Sequence, residues 1–124
     1  MKKKIVVLDA DEHECQRICN LLEERHYPTI PMHSLSHLGE SVERSDCIAV
    51  LLDIDSVPVD NRVIRELTLE HAGVRFLCAS RDRFHPELKD AICYHIYACL
   101  NKPIDPEELF YWLRCIYEEE NEAD

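Results

Sequence analysis

The chain has 124 residues, 46% of them hydrophobic and 31% charged, and a formal net charge of −11 with its histidines neutral. That length builds one compact domain with its own core and is too short for two. So acidic a surface repels phosphate backbones and anionic lipids, which argues against direct binding of nucleic acid or membrane.

Lys2, Lys3 and Lys4 precede only four apolar residues, Ile5 to Leu8. A secretory signal or a membrane span needs a longer apolar run, so the expected location is the cytoplasm. The run is short, continuous and rich in β-branched residues, which predicts a strand buried on both faces. Glu12 to Arg25 has helical spacing, with Cys15, Ile18, Cys19, Leu21 and Leu22 on one side. Asp11 and Glu14 have the offset of a capping box, and Tyr27-Pro28 ends the helix.

Thr29 to Met32 predicts a short strand that Pro31 confines to an edge or bulge. Ser34 or Ser36 caps a weak helix near 35–43. Cys47 to Leu52 is the strongest strand signal, and it ends in Asp53. Val63 to Leu69 predicts a helix closed by Gly73 in the C′ role. A strand over Val74–Ala79, a helix over Pro86–Tyr94 and a strand over Tyr97–Leu100 follow. Asp105-Pro106-Glu107-Glu108 is a helix start, with Asp as N-cap, Pro at N1 and acids facing the dipole. Leu109, Trp112, Leu113 and Ile116 place one face of that helix on the sheet, and Phe110 and Tyr111 point partly outward. The predicted domain covers 1–118, and 119–124 is an acidic tail or the start of a linker.

Strands alternating with helices predict an α/β fold of three α-β-α layers around a five-stranded parallel sheet. Ligands of such sheets bind beyond the carboxyl ends of the strands. Asp9 and Asp11 follow the first predicted strand, Asp53 and Asp55 the third, Ser80 the fourth and Lys102 the fifth. Singly, such an Asp is a turn or capping residue and such a Lys a solvated charge. On adjacent strand ends, Asp9, Asp53 and Lys102 are better explained as a site.

Three segments carry a family resemblance: Lys4-Ile5-Val6-Val7-Leu8-Asp9, Val50-Leu51-Leu52-Asp53-Ile54-Asp55, and Asn101-Lys102-Pro103-Ile104-Asp105-Pro106-Glu107-Glu108-Leu109. With Asp60-Asn61 where an Asp-Gly pair is usual, the chain resembles the response-regulator receiver domains of two-component signalling along nearly its whole length. The resemblance implies a (βα)5 flavodoxin-like fold. It implies a phosphoryl group accepted on Asp53 from a sensor histidine kinase or phosphotransfer protein, and control of an output partner or fused domain. Lys102 takes the phosphate-contacting role. Mg²⁺ is implied at Asp9, Asp53 and the backbone carbonyl of Asp55. Such a domain is a regulatory phosphoacceptor, not an enzyme beyond slow self-catalysed phosphotransfer and dephosphorylation.

The sequence departs from the family pattern at four places. The acid pair after the first strand is broken by Ala10, leaving Asp11 or Asp55 as substitutes, although helix capping accounts for Asp11. Cys78 stands where the fourth strand is expected to end in a hydroxyl, with Ser80 as a substitute two residues on. Cys99 occupies the aromatic switch position, and Tyr97 falls on the same face by alternation. His95 stands where a Gly is usual. These changes keep a second reading open, a phosphorylation-independent pseudo-receiver that serves as a protein-binding or dimerisation module. The last-helix face is the candidate homodimer contact. The seven cysteines are odd in number and lack the spacing of a disulfide framework or zinc site. A redox pair of Cys78 and Cys99 is outweighed by their reading as buried strand residues.

Overall fold

The computed structural model describes residues 2–44, 46–81 and 95–123. Five strands, β1 (Lys4–Leu8), β2 (Thr29–Met32), β3 (Cys47–Asp53), β4 (Arg75–Ser80) and β5 (Ala98–Asn101), form one parallel sheet in the order β2-β1-β3-β4-β5. The helices among the described residues are α1 (Glu12–Glu24), a 3₁₀ turn (Leu35–His37) running into α2 (Leu38–Arg44), α3 (Asn61–Glu70) and α4 (Pro106–Ala123). The predicted helix over 86–94 lies outside the described residues.

Strand alternation divides the core in two. Ile5, Val7, Ala49, Leu51, Leu77 and Leu100 face α1 and α4, which present Ile18, Leu22, Leu109 and Leu113. Val6, Leu8, Val50, Leu52 and Phe76 face Leu38 of α2 and Ile64 of α3. All seven residues of β3 are buried, which is why that segment is a continuous apolar run up to Asp53. Pro31 sits in an edge strand, where its missing N–H breaks no ladder.

Several local expectations are corrected. β4 runs one residue further than predicted, so Ser80 is its last residue. Gly73 does not close α3. The helix ends at Glu70 with His71 as its C-cap, and no described glycine has positive φ. His26, φ 67°, lies in the left-handed region and turns the chain after α1; the backbone angle at His95 depends on residue 94, outside the described residues. The acidic run, read as a solvated helix end or the start of a linker, continues α4 through Ala123, and Glu119 accepts the Tyr97 hydroxyl at 2.8 Å. Phe110 is not outward-facing. It is buried against Tyr27 and under the Arg25 guanidinium, which leaves Tyr111 as the exposed aromatic of α4.

Candidate functional site

Register assembles the site. Leu8 of β1 pairs with Leu52 of β3, so Asp9 and Asp53 leave neighbouring strands side by side. Ser80 of β4 pairs with Asn101 of β5, and Lys102 follows, its N–H donating to the Ser80 carbonyl at 3.0 Å. The strand order reverses direction between β1 and β3, the position where parallel sheets open a crevice. The crevice has a volume of about 610 Å³, and its walls include Asp53, Asp55, Ser56, Arg81 and Lys102.

The two buried acids begin the same local structure. Asp9 Oδ1 accepts the Asp11 N–H at 2.9 Å, and Asp53 Oδ1 accepts the Asp55 N–H at 3.1 Å. Each is therefore the turn-forming Asp that a strand end invites, and Asp53 also lines the crevice. Asp53 and Asp9 are both only 5% exposed.

Lys102 Nζ donates to both carboxylate oxygens of Asp53, at 3.0 and 2.9 Å, and lies 3.4 Å from Asp55. Burial lowers the Lys102 pKa, but the hydrogen bond and charge of Asp53 raise it by more, with Asp55 adding to the rise. The ammonium is thus firmly charged, as a group that neutralises anionic oxygens must be. Burial pushes the Asp9 carboxyl above its ordinary value, and the neighbouring Asp53 charge adds to this against the hydrogen bond from Asp11. Burial also pushes Asp55 up. Bonds from Arg81 and Ser80 and the charge of Lys102 outweigh it, so Asp55 lies below the ordinary value.

Ser56 is the residue that sequence reasoning missed. Its hydroxyl lies 3.0 Å from Asp9 Oδ1 and 3.1 Å from Asp53 Oδ2, and it accepts the Ala10 N–H at 3.1 Å. One proton shared between two carboxylates eases their repulsion. The only sequence signal was a Ser three residues after a strand-ending Asp, an ordinary turn residue.

The altered positions sort differently from expectation. Cys78 is 1% exposed, within β4 on the α3 side, and burial holds its thiol far above the ordinary range. It lies two residues before the end of β4; Ser80 is the last strand residue and donates to Asp55 Oδ1 at 2.9 Å. The Asp55 carboxylate, a candidate substitute for the missing acid, also accepts the Arg81 N–H at 2.9 Å. Asp11 caps α1 by accepting the N–H groups of His13 and Glu14. The return half of the capping box is absent, because Glu14 bonds Arg17 instead. Tyr97 precedes β5, so alternation does not govern it. It packs edge-on against Trp112 on the α4 side, while Cys99 faces the other core.

No group of three His, Cys, Asp or Glu side chains at metal-holding spacing occurs among the described residues. Mg²⁺ takes oxygen donors and is commonly held by one or two carboxylates plus waters and phosphate. Asp9 and Asp53, adjacent and both buried, are such a pair.

No family model and no curated protein matches the sequence. The fold, by contrast, is that of response-regulator receiver domains. The signal receiver domain of an HD domain-containing protein from Pseudomonas fluorescens is similar with a TM-score of 0.85 at 19% identity, covering 98% of this chain and 99% of that one. A CheY-like response regulator receiver domain protein from Methanospirillum hungatei is similar at 0.84 and 16%, with 98% and 99% covered. A response regulator protein from Burkholderia pseudomallei, with a phosphorylated aspartic acid, a calcium ion and citrate, is similar at 0.77 and 18%, with 98% and 73% covered.

Proposed function

We propose that the chain is a signal receiver that accepts a phosphoryl group on Asp53 from the phosphohistidine of a sensor kinase or phosphotransfer protein. The observation that supports this most is the Asp53 carboxylate at the β1/β3 crevice with Lys102 bonded to both of its oxygens. A carboxylate oxygen forms the new P–O bond as the donor's P–N bond breaks, and the imidazole leaves with the electron pair. Lys102 neutralises the transferring oxygens, and the Ser80 hydroxyl and Arg81 N–H, both bonded to Asp55, are further donors beside it. Asp9, Asp53 and the backbone carbonyl of Asp55 would hold Mg²⁺, which supplies additional positive charge to the phosphoryl oxygens. The protein is then a regulatory phosphoacceptor of the cytoplasm, controlling an output partner or fused domain. The exposed Tyr111 on α4 marks the face for partner or homodimer contact.

Ala10 and Cys99 favour a second reading, the pseudo-receiver that binds partners without phosphorylation, because one metal-site acid and the aromatic switch are missing. Incubation with a small phosphodonor and Mg²⁺, followed by intact mass, separates the two. The first reading expects one added phosphoryl group, lost in Asp53→Asn. An unmodified wild type, under conditions that modify an ordinary receiver, overturns it.

A further inference from the structure

The Asp55 carboxylate is turned toward Ser80, Arg81 and Lys102 and bonds neither Asp9 nor Asp53 in the described hydrogen bonds. Three donors converge on it: the Ser80 hydroxyl at 2.9 Å, the Arg81 N–H at 2.9 Å and Lys102 Nζ at 3.4 Å. A hydroxyl, a backbone amide and an ammonium together make an anion pocket of the kind that binds phosphoryl oxygens. The pocket adjoins Asp53, because the same Lys102 ammonium bonds both Asp53 oxygens. Asp55 belongs to the turn after β3, yet its carboxylate spans to the ends of β4 and β5. A solvated loop acid does not collect three donors from two strand ends.

We infer that Asp55 is a built-in competitor for the phosphoryl group: its carboxylate fills the Ser80–Arg81–Lys102 pocket in the resting chain and leaves it when Asp53 is modified. This rests on the reading of Asp53 as phosphoacceptor. The competition follows from donor count. Ser80 has one hydroxyl proton and Arg81 one amide proton, so neither serves both anions fully. Asp55 would thereby set how much donor is needed to load Asp53, which makes it a specificity-determining residue of the site.

The test is titration of beryllofluoride, a phosphoryl mimic, at Mg²⁺ levels that saturate each protein. Wild type, Asp55→Ala, Asp55→Asn and Asp53→Asn are compared by fluorine resonance of the adduct and by the Arg81 amide resonance. Asp55→Ala is expected to load at about tenfold lower beryllofluoride than wild type, the scale of one competing charge-assisted contact. Asp55→Asn, which keeps a neutral acceptor, falls between, and it carries the test if the alanine variant does not fold. In wild type the Arg81 amide moves on loading, and in Asp55→Ala it starts displaced from its resting wild-type position. Equal or weaker loading of the Asp55 variants, with loading of wild type intact, overturns the competitor role and leaves the acceptor standing. No loading of any protein overturns both.

Discussion

Lys102 Nζ stands 3.0 Å from one carboxylate oxygen of Asp53 and 2.9 Å from the other, although 49 residues separate them in sequence. Each side chain is the main compensation for burying the other: their exposures are 17% and 7%. Removing one partner leaves an uncompensated charge.

Lys102→Met should therefore destabilise the domain by about 2–3 kcal/mol, less than a fully buried pair because the crevice is open. Asp53→Asn on the Lys102→Met background should recover part of that loss. Urea denaturation of the four proteins of the cycle gives the coupling. A coupling indistinguishable from zero means that the pair does not hold the strand ends together.

Ser56→Ala should cost about 1–2 kcal/mol. It removes the proton shared between Asp9 and Asp53 and the acceptor for the Ala10 N–H. Ser56→Thr keeps the hydroxyl and should retain most of the stability. Thermal or urea unfolding ranks the three, and an alanine variant as stable as wild type removes Ser56 from the site.

Mg²⁺ should raise the melting temperature by binding the folded chain alone. Asp9→Asn should abolish that rise. Asp11→Ala should lower stability by about 1 kcal/mol through the lost α1 cap and leave the rise intact. A rise that vanishes in Asp11→Ala instead would make Asp11 a ligand and not only a cap.

Stability should fall as pH rises above about 9. Burial lifts the Cys15 thiol from an ordinary 9.0 to about 11, and burial lifts Cys19, Cys47 and Cys78 in the same direction. Burial and the Glu119 carboxylate lift Tyr97 from 10.0 to about 12. These groups stay protonated when folded and ionise first when unfolded. Their contribution is complete below the unfolded values and is lost as pH climbs through the folded ones. Urea midpoints at pH 7.5, 9 and 10 check this, and a flat profile contradicts it. Alkylation at pH 8 should also spare Cys15, Cys19, Cys47 and Cys78, because the thiolate is the reactive form.

Local chemistry made much of the molecule legible in advance. β-branched apolar runs announced β1 and β3, amphipathic spacing announced α1 and α3, and Asp105-Pro106 announced the start of α4 with its cap. The alternation of elements implied a parallel sheet and hence which ends carry a site, so Asp9, Asp53 and Lys102 were named from sequence. Helix ends were less legible. Gly73 was a plausible stop for α3, but the chain turned at His71 without needing positive φ.

Sequence by itself determined the strand-ending acids, the lysine and the order of elements, because burial and capping preferences act over a few residues. Only the tertiary structure decided what those groups do to one another. The β4 boundary differed from expectation by one residue. That made Ser80 the last strand residue, two places beyond the buried Cys78. Ser56 gained its place by standing between acids 47 and three residues away. The Asp55 carboxylate gained donors from positions 80, 81 and 102. Such contacts depend on the register between strands, which local sequence pattern does not specify across these distances.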